Sequence, residues 1–245
     1  MFEYFTYFIV TFILSTVFAT AGLGSAVALV PVLNMMGIGF DVSRASGLFV
    51  NSVSTITASI ISLKKGFFDI KFVAVLVLSS VVFAYMGSKI SLSLDVETVK
   101  AVFGYSLIVI ATMTLFFKKK QKKQNNSHNI AVLLIAGSLG GFFSGFLGIG
   151  GGSIIAPLLF LFGYDPKKVA LGISFVIPFS SLSGFITYAS ALSLDIMFLF
   201  VVGCAAYLGG MMGSYLLHFK VSSNTIKRIL AIALYILGFK IVLFG

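Results

Sequence analysis

Two glycine-rich segments of the chain have the composition of an anion-binding helix start. The first is GLGS, from Gly22 to Ser25, and the second is GIGGGS, from Gly148 to Ser153; each interrupts a very apolar stretch. A helix that begins after such a break leaves its first N–H groups unpaired, and these groups and the helix dipole attract negative charge. Glycine also lets a ligand approach the backbone closely. The predicted substrate site therefore contains Gly22, Gly24, Ser25, Gly148, Gly150, Gly151, Gly152 and Ser153.

Small polar side chains recur at helical spacing in the apolar run that follows each break. They are Asn51, Thr55, Ser59 and Ser62 in the first run, and Ser174 and Ser181 in the second. Such groups can line a water-filled path and donate to an oxyanion, and they can equally bond across packed helices. Asn51 is the clearest candidate because a primary amide in hydrocarbon needs partners. The predicted site is completed by Asn51, Thr55, Ser174 and Ser181.

An internal duplication relates the two breaks. Eight pairs of identical residues lie 126 positions apart: Gly22/Gly148, Gly24/Gly150, Pro31/Pro157, Gly37/Gly163, Asp69/Asp195, Ile70/Ile196, Gly87/Gly213 and Ser88/Ser214. We interpret the chain as two transmembrane repeats, residues 1–117 and 130–245, joined by a basic linker over residues 118–129. Broken helices in corresponding places of two repeats are expected to meet near the membrane midplane.

The composition indicates a membrane protein. Hydrophobic residues make up 59% of the 245, charged residues only 10%, and the mean hydropathy is +1.11, whereas soluble domains are roughly 25% charged. Six apolar runs have about the 20 residues that a membrane helix needs. Two longer stretches, about 4–37 and 130–163, carry the breaks. A straight helix of about 34 residues would reach about 50 Å across a hydrocarbon core of about 30 Å, so each of these stretches must turn.

The distribution of basic residues predicts how the repeats are oriented. The linker carries five lysines directly after an apolar run, which places it on the cytoplasmic side. If each long stretch crosses once, nine basic residues lie inside and eight outside; if each returns to the side it entered from, the count is 13 to 4. We therefore predict an all-α polytopic membrane protein made of two inverted repeats, each a broken, re-entrant helical hairpin plus three transmembrane helices. Two full spans at each break stay open as the alternative.

Ionisable residues are absent from the centres of the predicted spans, and the acidic residues fall at span ends. Proton pumps and many cation transporters place an ionisable relay inside the membrane, so this pattern favours an anionic substrate. We interpret Asp69 and Asp195 as caps of the helices they precede. No catalytic residue, metal site or cofactor is expected.

The segment Gly148-Ile149-Gly150-Gly151-Gly152 with Pro157-Leu158, and its degenerate copy Gly22-Leu23-Gly24 with Pro31-Val32, resemble the motifs of the TauE/SafE family of sulfite exporters. The length, the duplication and the basic linker are also similar, and the resemblance covers nearly the whole chain. The first copy departs from the second, since Ser25 and Ala26 stand where the second has Gly151 and Gly152. The resemblance implies export of sulfite, of small organosulfonates such as sulfoacetate, or of other sulfur compounds.

These observations together predict a secondary transporter of small sulfur-containing oxyanions that works by alternating access in a bacterial inner membrane. A passive anion channel and an uptake carrier for another sulfur compound are the alternatives. An intramembrane serine hydrolase is disfavoured because His128 and His218 lie outside the span centres, where no base is left for a nucleophile. The expected partners are a small sulfur-containing anion and the lipid bilayer, and no nucleic acid; a homodimer is left open.

Overall fold

A computed structural model describes residues 2–21, 24–63, 70–116, 129–164, 166–216 and 223–244. These ranges form ten α-helices and no strand: α1 (Phe2–Ala21), α2 (Ala26–Met35), α3 (Phe40–Leu63), α4 (Ile70–Ser93), α5 (Val96–Phe116), α6 (Ile130–Leu147), α7 (Gly152–Leu161), α8 (Pro166–Ala191), α9 (Ile196–Leu216) and α10 (Ser223–Phe244). Within the described ranges, five helices (α4, α5, α6, α8 and α9) contain a segment long and apolar enough to cross a membrane. The predicted all-α polytopic architecture is confirmed.

The helices repeat with the same spacing as the paired residues of the sequence. The starts of α2 and α7, of α3 and α8, and of α4 and α9 are each 126 residues apart. Both α2 and α7 contain ten residues with one internal proline, Pro31 or Pro157. Of the sequence predictions, Gly22, Asp69 and nearly all of the linker lie outside the described residues. The order long helix, short helix and three long helices therefore occurs twice.

The second long apolar stretch folds as a helical hairpin. Gly148 ends α6 with φ 75°, and its N–H donates to Ser144 O at 2.9 Å. The chain then returns along α6, because Gly151 lies against Gly140 and the Tyr164 hydroxyl donates to Asn129 O at 3.5 Å. Ten residues of α7 span only about 15 Å, too little for a hydrocarbon core of about 30 Å. This stretch turns, as its length predicted; the break of the first stretch, at residues 22–23, lies outside the described residues.

The most extensive packing joins helices of different repeats. In α6, Gly141 and Gly145 lie against the backbone of Ser80 and Ala84 in α4. In the same way, Gly209 and Gly213 of α9 lie against the backbone of α1. Glycine at such contacts lets two helix backbones approach closely, which favours association inside a membrane. The two repeats are therefore interlocked, because the first helix of each repeat (α1 or α6) packs against the fourth helix of the other (α9 or α4).

Counterpart helices of the two repeats run antiparallel where they touch. Leu48 of α3 lies against Gly184 of α8, and farther along α3 Ser59 donates to the carbonyl of Ser174. The other counterpart pair, α5 and α10, has the same direction: Gly104 lies against Val242, and the hydroxyls of Thr112 and Tyr235 are 2.6 Å apart. The contact between α3 and α8 runs through the interior and positions the candidate site.

Candidate functional site

Both glycine breaks contact one side chain, the amide of Asn51. Asn51 lies at the middle of α3, which contains 24 residues, and is 0% exposed. A Cβ atom on Gly24 would overlap Asn51 Oδ1, and a Cβ atom on Gly150 would overlap Asn51 Nδ2. Both glycines have positive φ, 84° and 79°, a conformation that other residues resist. The two helix restarts therefore converge in the interior on opposite ends of the same amide.

The Asn51 amide keeps part of its hydrogen-bonding capacity free. Its Nδ2 donates to Ser181 Oγ at 2.9 Å, whereas Oδ1 is buried without a partner in the described part of the chain. Ser181 is also fully buried, and among the described residues no acceptor receives its hydroxyl proton. A buried polar atom without a partner costs about 1–3 kcal/mol. The second hydrogen of Asn51 Nδ2 and the Ser181 hydroxyl proton are thus the two side-chain donors available to an anion at this place, whereas Oδ1 can only accept a hydrogen bond.

The helices α2 and α7 each begin two residues after a glycine that contacts this amide. The hydrogen bonding of α2 begins with Ala28 and Leu29, whose N–H groups donate to Ser25 O at 3.3 and 3.0 Å. That of α7 begins with Ile154 and Ile155, which donate to Gly151 O at 3.1 and 2.9 Å. The preceding N–H groups of each first turn have no acceptor within their own helix, and they carry the positive end of the helix dipole. The arrangement suits a small anion.

The serines of the two breaks are buried, but their protons are directed at protein acceptors. Ser25 Oγ lies 3.4 Å from Ser54 Oγ, and Ser54 donates to Asn51 O at 3.2 Å. Because Ser54 uses its only proton there, Ser25 is the donor of the pair. Ser153 donates to Gly150 O at 3.3 Å. These two hydroxyls therefore support the geometry of the breaks.

The other glycines of the second break occupy packing positions. Gly148 lies against the Cα and Cβ atoms of Arg44, toward the end of the bundle where α3 begins. A Cβ atom on Gly151 would lie 2.9 Å from Gly140 O, and one on Gly152 would overlap Ile177. Close approach to neighbouring helices accounts for all three residues, although the N–H groups of Gly151 and Gly152 belong to the first turn of α7.

The remaining predicted residues lie below the amide or apart from it. Thr55 is half-buried one turn from Asn51, and its hydroxyl donates to Asn51 O at 2.5 Å. Ser174 lies two turns from Ser181, about 10 Å along α8, and its backbone carbonyl accepts from Ser59. The structure thus brings Gly24, Gly150, Asn51 and Ser181 together, with Ser25 and Ser153 beside them, and separates Ser174 from this group.

Sequence reasoning missed Arg44. It is not among the predicted site residues, yet its side chain is charged and only 1% exposed. Arg44, Leu48, Asn51 and Thr55 follow one another at spacings of three and four residues, so they lie on one face of α3. The sequence signal for its burial is this spacing. Arg44 lies on the same face of α3 as the buried Asn51 amide, and the other polar residues on that face are neutral.

Asp195 caps α9, as predicted. Its Oδ1 accepts from the N–H groups of Met197 and Phe198 at 2.8 and 3.2 Å, and its Oδ2 accepts from the Tyr4 hydroxyl at 2.7 Å. The hydrogen bond from Tyr4, followed by the one from Phe198, holds the pKa of Asp195 below its ordinary value. This carboxylate is therefore structural and lies at a helix end, away from the Asn51 amide.

Comparison with known proteins places the chain among membrane transporters. The family model described as "Sulfite exporter TauE/SafE" matches residues 7–241. The chain is 31% identical over 118 residues to "Probable membrane transporter protein YunE" of Bacillus subtilis. This alignment covers 48% of this chain and 41% of that protein. It is 30% identical over 191 residues to a probable membrane transporter protein of Methanocaldococcus jannaschii, covering 75% of this chain and 71% of that protein. The match therefore spans about two fifths of the first relative and most of the second.

Proposed function

Because the chain belongs to the TauE/SafE family, and is thus a multi-pass membrane transporter, we propose that it is a secondary carrier of small sulfur-containing oxyanions such as sulfite, sulfoacetate or related organosulfonates. The substrate binds between the two helix restarts, where the Asn51 amide lies against both Gly24 and Gly150. That one contact carries the proposal, since it joins two backbone anion sites into a single site.

The charge of the site supports an anionic substrate. In the described part of the chain, the contacts of Gly24, Gly150, Asn51 and Ser181 include no carboxylate. Two helix N-termini provide positive potential without a fixed cation, and the Ser181 hydroxyl adds a donor. A pyramidal or tetrahedral oxyanion presents several acceptor oxygens at once, so N–H groups from α2 and α7 can bind it from two directions.

The packing supports alternating access and suggests which units move. In the inverted topology that we propose, the antiparallel pairs α3/α8 and α5/α10 place counterpart helices in opposite directions across the bilayer. The glycine contacts of α6 with α4, and of α1 with α9, are backbone to backbone and resist sliding. We therefore expect each hairpin to move together with the fourth helix of the other repeat, while the contact between α3 and α8 opens and closes around Asn51.

Transport into proteoliposomes tests the function. Purified protein should take up radiolabelled sulfite with saturation, and should exchange it for sulfite inside, which separates a carrier from a channel. Asn51→Leu keeps the volume and removes the amide, so KM should rise by roughly tenfold or more, as for the loss of a hydrogen bond to a charged group.

Asn34→Leu is the matched control. Asn34 is also an amide in a broken hairpin, but it donates to Ile38 O at 3.0 Å and has no contact with the restarts. It should leave KM within about twofold, since no ligand contact is lost. Equal loss of transport in both variants, or uptake that does not saturate, would refute the carrier with a site at Asn51.

A further inference from the structure

Arg44 is a buried cation whose hydrogen bonding is incomplete. It lies in the first turns of α3, and its Nη1 donates to Phe146 O at 2.9 Å and to Ser91 Oγ. Its Nη2 donates to Asp41, the acid three residues earlier. Its Nε is buried with no acceptor among the described residues. A guanidinium offers five N–H donors, so this one holds its neighbours and still has a donor to give.

The counterion of Arg44 is more accessible than Arg44 itself. The side chain of Asp41 is 29% exposed, against 1% for Arg44. The guanidinium is enclosed by the rings of Phe40 and Tyr188, whose centres are 4.9 and 5.1 Å from its central carbon. A buried cation needs an anionic partner, and the partner here lies on the side of the protein surface. Another anion that enters from that side can therefore take its place.

A surface cavity adjoins this cation. It has a volume of about 300 Å³ and is lined by Lys89, Leu92, Ser93, Thr187, Ser190 and Ala191. Ser91 and Tyr188, which both contact Arg44, are immediate sequence neighbours of lining residues in α4 and α8. Leu92 and Tyr188 also belong to one hydrophobic cluster. The ends of α4 and α8 that contact Arg44 therefore also form the cavity wall, and Lys89 gives the cavity a positive charge.

Arg44 also lies in line with the Asn51 amide. The two residues are seven positions apart on the same face of α3, which corresponds to about 10 Å. Both face α8, where Tyr188 accompanies Arg44 and Ser181 accompanies Asn51. Cavity, guanidinium and amide therefore follow one another from the surface to the middle of the protein.

We propose that Arg44 is a second anion-binding station between this surface cavity and the Asn51 site, where the transported oxyanion replaces Asp41 on the guanidinium. The inference rests on the proposed function and adds a residue to it. The station exists at one end of the bundle, because the counterparts of Asp41 and Arg44 in α8 are Lys167 and Ala170. Anions therefore meet a fixed buried cation on one side of the site and none at the corresponding position on the other.

Equilibrium titration of the purified protein with sulfite tests this station. In the wild type, Asp41 occupies the guanidinium, so the titration should show one sulfite per chain, at Asn51. In Asp41→Asn the guanidinium loses its competitor and a second sulfite should bind. Combining Asp41→Asn with Arg44→Gln removes the station and should restore one sulfite per chain. This double variant also leaves no unpaired buried charge, so it remains informative if Asp41→Asn alone fails to fold.

Lys100→Ala is the matched control. Lys100 Nζ lies 5.9 Å from the centre of the same Phe40 ring, but Lys100 is not part of the proposed station. The Lys100→Ala variant should therefore bind one sulfite per chain, like the wild type. In proteoliposomes the double variant should lose roughly tenfold in kcat/KM, the factor expected for a lost bond to a charged group. One sulfite per chain in Asp41→Asn, or unchanged transport by the double variant, would overturn the station and leave the Asn51 site standing. No sulfite binding by the wild type would overturn the proposed function, and the station with it.

Discussion

The two glycine breaks share a backbone and differ in their surroundings. Gly24 and Gly150 have nearly the same φ, and the helices that follow them begin 126 residues apart. Their common partner is not duplicated, because the counterpart of Asn51 in α8 is Ile177. The duplication thus supplies two equivalent helix starts, and a single unduplicated amide joins them into one site.

The same asymmetry extends to the ends of the bundle. The apex of the second hairpin, at Gly148, lies against Arg44, and Phe146 O accepts from both Arg44 and Ser91. A cation at a helix C-terminus is favoured by the helix dipole. In the other repeat, Ala170 stands at the position that corresponds to Arg44, so this arginine is not duplicated. Repetition accounts for the scaffold, and the departures from it account for where the buried amide and the buried cation lie.

Filling the second break should have the largest effect. Gly150→Ala places a methyl group on the Asn51 amide and strains a residue at φ 79°. We expect transport to fall by about 100-fold or more, because the shared contact is lost. Gly163→Ala is the control, since Gly163 has φ 80° and open space around its Cβ position. It carries the same strain, about 1–2 kcal/mol of stability, and should keep the KM for sulfite. Similar KM values in both variants would show that the break is only structural.

Removing the free hydroxyl beside the amide should have the next largest effect. Ser181→Ala deletes the acceptor of Asn51 Nδ2 and a donor to the substrate, so KM should rise by roughly tenfold. Ser180→Ala is the neighbouring control, because Ser180 donates to Ile177 O in its own helix at 3.2 Å. It should change KM by less than about twofold. A larger effect at Ser180 than at Ser181 would place the site on another face of α8.

The serines of the breaks should matter less than their glycines. Ser153 uses its proton on Gly150 O, so Ser153→Ala should raise KM by about threefold at most, through a slightly altered first turn of α7. Sulfite uptake kinetics measure this directly. An effect as large as that of Gly150→Ala would mean that the hydroxyl, rather than the backbone, contacts the anion.

The smallest expected effect is on acid stability. Hydrogen bonds from Tyr4 and then Phe198 lower the pKa of Asp195 in the folded protein, so the carboxylate stabilises the fold above the ordinary pKa of about 3.9. This contribution is lost as the pH falls through the lower folded-state pKa. Tm measured from pH 6 to pH 3 should therefore fall less steeply in Asp195→Asn than in the wild type. A steeper fall in the variant would contradict the role of this cap.

Much of the fold follows from the sequence because it depends on local rules. Apolar length and glycine breaks predicted the helices and the turn of the second stretch, and the 126-residue spacing predicted which elements correspond. The convergence on Asn51 could be expected only in outline, since contacts between α3 and α8 join residues 130 positions apart. The burial of Arg44 was not predicted, because the contacts with Asp41, Ser91 and the C-terminus of α6 that compensate its charge inside the protein are not visible in the sequence.

The most direct test of the account is the number of sulfite ions bound per chain, measured by titration calorimetry of the wild type, Gly24→Ala and Gly150→Ala. If the helix starts of both repeats form one site around Asn51, the wild type binds one sulfite and either substitution alone abolishes binding. Two bound sulfites in the wild type, or undiminished binding in either variant, would contradict a single shared site.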